Sequence, residues 1–495
     1  MNQIITIAYG DGIGPEIMDS ALEILCAAKA NLQFNTIEIG KKIYEKGFNS
    51  GIMPSAWEEL NNSKILLKAP ITTPQGGGYK SLNVTLRKKL GLFANIRPVT
   101  SFYPFVATKY PEMNVVIVRE NEEDLYAGIE YRQSDQTYAC LKLVTRQGCE
   151  KIIRYAFEYA VANNRKKVSC FSKDNIMKMT DGLFHKVFDE IARQYPEIKN
   201  EHYIIDIGTA RLAARPEIFD VIVTMNLYGD IISDVVAETS GSVGLGGSAN
   251  IGKDYAMFEA IHGSAPDIAG KDIANPTGLI QAAVMMLLHI GQNEPANRIR
   301  NALYKTIEDG IHTADINNQH NSCKKAKTKE FTAAVIARLG QKPIRLPLSA
   351  FVASDKKTAI KSEEIPAIPA TRSLIGFDLF IEWQLELEDL LAFLKNVESE
   401  RLEIKMISAK GLLLWPYSDQ YLIPDYTKGQ TILRFIGKGI TGKSSNEIID
   451  GSKSITHQDI INMLHILNQN QIDFVKYEGL YLFDGRPGYT CGQGE

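Results

Sequence analysis

The run NLYGDIISDVVAETSGSVGLGGSANIG, from Asn226 to Gly252, decides how the chain is read. The apolar stretch before it, DVIVTMN from Asp220 to Asn226, is rich in β-branched residues and reads as a buried strand. Asp230 and Asp234 therefore follow a strand end, where α/β sheets place their ligands. If IISDVVAE after Gly229 is helical, both carboxylates share one face, one turn apart. Such a pair suits magnesium or manganese, which takes one or two protein carboxylates and leaves positions open for an anionic substrate. An N-capping Asp followed by a solvated helix Asp explains the spacing equally well, so other stretches must decide.

A chain of 495 residues exceeds what one hydrophobic core serves, and two or three domains are expected. Hydrophobic content of 44%, charged content of 23% and a net charge of −3 fit an ordinary soluble globular protein, with no basic excess to suit nucleic acid. No apolar run approaches the roughly 20 residues of a membrane span. The opening MNQIITIAYG reads as a first strand and not as a cleavable signal, so a cytoplasmic protein is expected. The six cysteines (Cys26, Cys140, Cys149, Cys170, Cys323, Cys491) are scattered without a CxxC pair, which argues for reduced thiols and against structural zinc.

Strands and helices alternate along most of the chain. YGDGIGPE turns the first strand into a helix with an apolar face of Ile17, Ala21, Leu25 and Ala28, but its glycines do not make the GxGxxG dinucleotide fingerprint. The strand KILLKAP leads into ITTPQGGGYKSLNVTLRKKLGLFANIRPV, read as a loop whose backbone donors, Ser81, Asn83, Arg87 and Arg97 offer anion-binding chemistry. Arg119 ends the next strand, with Tyr126 shortly after it and a hairpin extension in YRQSDQTYACLKLVT. Lys173 and Asp206 are expected at two further strand ends, after KKVSCFSK and HYIIDI, with a helix from NIMKMTDG onward between them. Residues 341–370 read as an extended linker with several prolines, and 371–495 as a separate small α+β domain without a cluster of catalytic residue types.

The motifs SLNVTLR, IRPV, RENEEDLYAGIE, NIMK, NLYGDIISD and HGSAPDIAGKDIANPTG, in that order, resemble those of the metal-dependent β-decarboxylating dehydrogenases, and together those of isocitrate dehydrogenase. The extension to FDGRPGYTCGQGE is similar to the long bacterial, Thermus-type form, so the resemblance spans the whole chain. It implies an α/β two-domain fold of the isocitrate/isopropylmalate dehydrogenase kind. Residues 1–93 and 241–340 would form a large domain, 94–240 a small domain with a clasp near 125–147, and 371–495 the added α+β domain. It also implies a homodimer, or a tetramer built from such dimers, with active sites shared between subunits, Lys173 and Asp206 coming from the other chain.

By that resemblance the substrate is isocitrate, and three guanidiniums suit its three carboxylates: Arg87, Arg97 and Arg119. Ser81 and Asn83 would contact the γ-carboxylate. Hydride passes from C2 to the nicotinamide, CO2 is then lost from C3, and a Mg2+ or Mn2+ ion on Asp206, Asp230 and Asp234 acts as Lewis acid in this step of the tricarboxylic acid cycle. Lys173 would take the hydroxyl proton and Tyr126 would protonate the enolate carbon. Thr73, His262, Gly263, Ala265, Asp267, Ile268 and Asn275 would hold the cofactor. Asp267 and Ile268 stand where NADP-using bacterial relatives carry Lys-Tyr, and a carboxylate there should repel the 2′-phosphate, so NAD is expected. The same reaction with NADP, homoisocitrate as substrate, or a non-catalytic regulatory subunit are the competing readings.

Overall fold

A computed structural model describes residues 2–73, 81–351, 369–395, 397, 399–416, 429–440 and 454–490. The chain folds into two compact units, one drawn from Met1–Gly128 with Leu141–Ser362 and the other from Ile129–Cys140 with Glu363–Glu495.

The first unit is built on one ten-stranded sheet. From one edge to the other its strands are Leu32–Thr36, Gln3–Ala8, Ile65–Lys68, Ala256–Ala260, Gly247–Ile251, Ala94–Thr100, Asn114–Glu120, Val221–Thr224, Lys167–Ser172 and Lys199–Ile204. Both outer parts pair in parallel, and the middle turns antiparallel where Gly247–Ile251 meets Ala256–Ala260 and Ala94–Thr100, and again where Ala94–Thr100 meets Asn114–Glu120. Central strands such as Val221–Thr224 are buried throughout, the continuous apolar run expected where helices cover both faces. Helices Gly14–Ala27, Thr277–His289 and Asn293–Glu308 cover the first half; Arg146–Ala162 and Thr180–Ala192 cover the second.

Four readings of the sequence need correction. The helix holding Asp230 and Asp234 runs Asn226–Thr239, starting a turn earlier than Gly229 suggests. Ser81 is an N-cap, and Leu82–Lys89 is a helix carrying Asn83 and Arg87 one turn apart, where a loop was expected; residues 74–80, with the glycine triplet, lie outside the described residues. The strand expected over HYIIDI stops at Ile204, so Asp206 sits in the first turn of helix Ile205–Ala214, where a carboxylate favours the positive helix end. The NIMK segment is turn, and its helix begins only at Thr180. In the expected linker, residues 341–351 lie against the Asn293–Glu308 helix. Asn297 and Asn301 donate to the carbonyls of Phe351 and Ser349 at 2.8 and 3.0 Å, and Glu308 accepts the Ile344 N–H at 2.7 Å. Residues 352–368 are outside the described set.

The second unit has a six-stranded antiparallel sheet in the order Leu412–Trp415, Leu402–Ala409, Gly429–Gly437, Arg372–Trp383, Lys476–Phe483, Arg486–Pro487. Helices Leu387–Leu394 and His457–Gln469 bury Leu390, Leu394, Ile460 and Met463 against Phe377, Leu379 and Phe435. Arg434 and Asp378, on adjacent strands, form a buried bidentate pair at 2.7 and 2.8 Å. The short hairpin Glu130–Arg132 with Tyr138–Cys140 belongs to this unit, and Gln430 donates to Gln133 within it.

Candidate active site

Strands Ile65–Lys68 and Ala256–Ala260 pair in a register that sets Lys68 opposite Glu259. Both strands are otherwise apolar, so the two charges must satisfy each other: Lys68 Nζ lies 2.7 Å from Glu259 Oε2, with both side chains almost wholly buried. Arg87, from the Leu82–Lys89 helix, reaches Glu259 Oε1 at 3.0 Å. Burial would raise the Glu259 carboxyl, but Lys68 and Arg87 outweigh it and hold it far below the usual carboxylate range.

A second ion cluster adjoins the first. Arg119 ends its strand fully buried and donates to Asp230 at 2.5 Å and to the Asn226 side chain at 2.7 Å, both on the Asn226–Thr239 helix. Gly229 makes this approach possible, since a Cβ there would stand 2.5 Å from Arg119 Cγ. Arg97 lies 3.3 Å from the same Asp230 oxygen and is steered by Asn95 at 2.6 Å. The Tyr126 hydroxyl donates to the other Asp230 oxygen at 2.5 Å. Burial, with Arg97 and Arg87 crowding it, pushes Arg119 down to about 10. Burial would raise Asp230, but Arg119 and Arg97 prevail and hold it below its ordinary value. Tyr126 is raised by burial against the pull of Arg119, with Asp230 adding to the rise.

These side chains line a cavity of about 180 Å³ that takes in Ser81, Asn83, Arg87, Arg97, Tyr126 and Asp230, together with Lys68, Glu259, His262 and Gly263. Among the described residues, buried Asn83 Oδ1, Arg87 Nε and His262 Nε2 have no protein partner, so donors and acceptors remain free for an anionic molecule. Lys68, Glu259, Asn95 and Asn226 were missed in the sequence; the available signal was a lone charge inside an apolar strand, in KILLKAP and YAMFEA.

Asp234 lies one turn along the helix from Asp230. Burial raises its carboxyl against the pull of Arg97, and the charge of Asp230 adds to the rise. A half-buried and an exposed carboxylate one helical turn apart fit a hard divalent cation, which would offset their mutual repulsion. Lys173 and Asp206 are elsewhere: they bond each other at 2.6 Å, Asp206 is 67% exposed, and neither lines the cavity. Among the described residues the group of three metal-ligating types is Asp174, His185 and His202. Its two imidazoles stack 3.6 Å apart at 14°, so one ion cannot lie in both ring planes; Asp174 instead accepts from His185 at 2.7 Å.

The expected cofactor residues continue from the cavity wall. Thr73 Oγ1 is 3.4 Å from Ser81 Oγ, and His262 and Gly263 line the cavity itself. Ala265 takes a positive φ of 36°, a strained value that puts a sharp turn before the exposed Asp267 and half-buried Ile268. The Gly12 turn packs here too: a Cβ on Gly12 would meet the Ser264 carbonyl at 1.9 Å. Asn275 donates to Asp315 at 2.9 Å.

The family model for isocitrate/isopropylmalate dehydrogenase matches residues 4–335. The chain belongs to that family. A second match, to the C-terminal domain of bacterial isocitrate dehydrogenase, covers residues 372–495 and gives this family member the long form. Isocitrate dehydrogenase [NADP] of Rickettsia felis is 57% identical over 99% of both chains. The Thermus thermophilus protein of that name is 38% identical over 100% of this chain and 96% of its own. A crystal structure of a Thermus thermophilus protein superposes with a TM-score of 0.90 at 38% identity, over 100% of this chain and 96% of the other.

The names of these relatives overturn the expectation of NAD. Asp267 and Ile268 do not carry the argument made from them. Asp267 is exposed in a polar turn that also holds exposed Lys271, whose N–H bonds the Ile268 carbonyl at 3.3 Å. A surface charge pair about 4 Å apart is worth about 1 kcal/mol, not the several that a drier site would give.

Proposed function

We propose that this protein oxidises and decarboxylates isocitrate to 2-oxoglutarate with NADP as hydride acceptor, working as a cytoplasmic homodimer. The charge in and around the cavity carries the reading. Lys68, Arg87, Arg97 and Arg119 face Glu259, Asp230 and Asp234, an excess of one positive charge, and a tricarboxylate arriving with one divalent cation brings the set to neutrality.

Arg87 and Arg97 bind the carboxylates from the cavity wall, with the Arg119 charge directly behind them, and Ser81 and Asn83 take the γ-carboxylate. Lys173 removes the hydroxyl proton and comes, with Asp206, from the twin chain; that neither lines the cavity of its own chain supports this. Tyr126, held protonated by burial, donates its proton to the carbon that loses CO2. Asp230 and Asp234, with Asp206 of the partner subunit, would hold magnesium or manganese, which when bound supplies Lewis-acid polarisation of the substrate oxygens. Thr73, His262, Gly263, Ala265, Asp267, Ile268 and Asn275 form the cofactor side. In this reading 1–93 with 241–340 forms one wall of the cleft and 94–240, with its clasp, the other; 341–370 links them to the domain at 371–495.

Initial rates of purified protein with isocitrate test the reading. NADPH formation that needs Mg2+ or Mn2+ and stops in chelator is expected. Turnover of homoisocitrate or isopropylmalate alone, or no isocitrate-dependent reduction of cofactor, overturns it.

A further inference from the structure

We propose that Lys142 is a positioning residue that joins the two halves of the chemistry carried by one chain, the Tyr126–Asp230 half and the Lys173 half. The assignment rests on the function proposed above. Lys142 is 12% exposed and pairs with Asp181 at 2.6 Å and Asp124 at 3.6 Å, two carboxylates that are themselves almost fully buried. Its ammonium also stands 4.8 Å from the Tyr228 ring centre. One cation therefore sits among three groups from three different segments.

Each carboxylate has its second oxygen on a functional element. Asp181 accepts the backbone N–H of Lys173 at 2.7 Å, fixing the strand end from which that side chain leaves. Asp124 accepts the N–H of Leu227 at 2.8 Å, capping the helix that carries Asp230 and Asp234; no side chain of the helix's own N-cap does so. Asp124 is held at a φ of 64°, two residues before Tyr126, and its own N–H bonds the Leu143 carbonyl beside Lys142 at 2.8 Å. An aspartate keeps that backbone conformation only where its surroundings over-determine it. On its far side the Lys173 turn is anchored by Asp174 to His185. Lys142 thus neutralises two buried carboxylates that would otherwise repel each other, and each of these orients one half-site.

Lys142→Met, Lys142→Arg and the double variant Lys142→Gln/Asp181→Asn test this; the last removes both charges of the closer pair and leaves one buried carboxylate, Asp124, without its cation where Lys142→Met leaves two. Two readouts are taken: kcat and KM across pH, and the rate at which an amine-reactive reagent labels Lys173, followed by peptide mass spectrometry. Expected for Lys142→Met and the folded double variant are a loss in kcat of roughly 100-fold, KM within a few-fold, displaced limbs of the pH–rate profile and Lys173 labelling changed at least about threefold, with Lys142→Arg recovering part of each. Wild-type kcat, pH profile and labelling in the folded double variant would overturn the proposal. Labelling is read without turnover, so an inactive wild type whose Lys173 responds to Lys142 would sink the functional reading and leave the positioning role standing.

Discussion

Arg119–Asp230 and Lys173–Asp206 are both short ion pairs between a strand end and the start of a following helix, yet they live in opposite surroundings. Arg119 is 1% exposed and Asp230 37%, and each Asp230 oxygen is already bonded within the chain. Lys173 and Asp206 are 27% and 67% exposed and have little beyond each other. A pair anchored on a buried guanidinium and bonded at both carboxylate oxygens is fixed before any ligand arrives, whereas a pair held mainly by its own solvent-facing contact gains little from it. Under the function proposed above, the first pair forms a site and the second completes the partner's.

The largest effect should come from breaking the buried pair. Arg119→Lys keeps a charge but not the fork that reaches Asp230 and Asn226 together, and kcat/KM for isocitrate should fall by about 10³-fold. A loss of under tenfold would mean that the guanidinium geometry is unimportant.

Next comes the exposed pair. Lys173→Met and Tyr126→Phe should each lose on the order of 10²-fold in kcat. Subunit exchange between the two inactive proteins should return about a quarter of wild-type activity: half of the dimers become mixed, and each mixed dimer holds one intact site. Absence of recovery, with exchange verified by mass, would put Lys173 and Tyr126 in the same chain's site and erase the contrast between the pairs.

The buried side of the comparison also predicts stability. The folded carboxyl of Glu259 lies well below its unfolded value near 4.5, so its stabilisation is complete above that pH and is lost as pH falls toward the folded value. Glu259→Gln leaves Lys68 and Arg87 without their counter-ion and should cost about 3–5 kcal/mol at pH 7. Urea melts of both proteins should converge as pH drops from about 5 toward 3; a gap that stays constant would show that packing and not charge is responsible.

Much of this contrast was legible in the sequence. Arg87, Arg97, Arg119, Tyr126 and Asp230 occur in dense polar motifs; the structure brings four of them to one cavity wall and sets Arg119 behind it, bonded to Asp230. Lys68 and Glu259 escaped because each stands alone in an apolar strand, and only the register that sets them opposite each other gives them meaning. The start of the Ile205–Ala214 helix was hidden by β-branched residues that continue the strand pattern across the boundary. Lys142 and Asp181 look in sequence like ordinary surface charges; only the packing makes them buried partners.

The smallest effect belongs to the most exposed charge. Asp267 carried the expectation of NAD because a carboxylate near a 2′-phosphate should repel it, and that sign is right. Its magnitude depends on the medium: with solvent on one side and Lys271 in the same turn, the repulsion is about 1 kcal/mol. Asp267→Asn should therefore lower the KM for NADP by roughly fivefold, about 1 kcal/mol, while leaving kcat and the KM for isocitrate unchanged. Halving the benefit in 0.5 M salt would mark it as screened surface electrostatics. A salt-independent gain of 100-fold or more would show instead that Asp267 meets the phosphate in a desolvated contact, and the turn would then belong with the buried cluster it has been contrasted with.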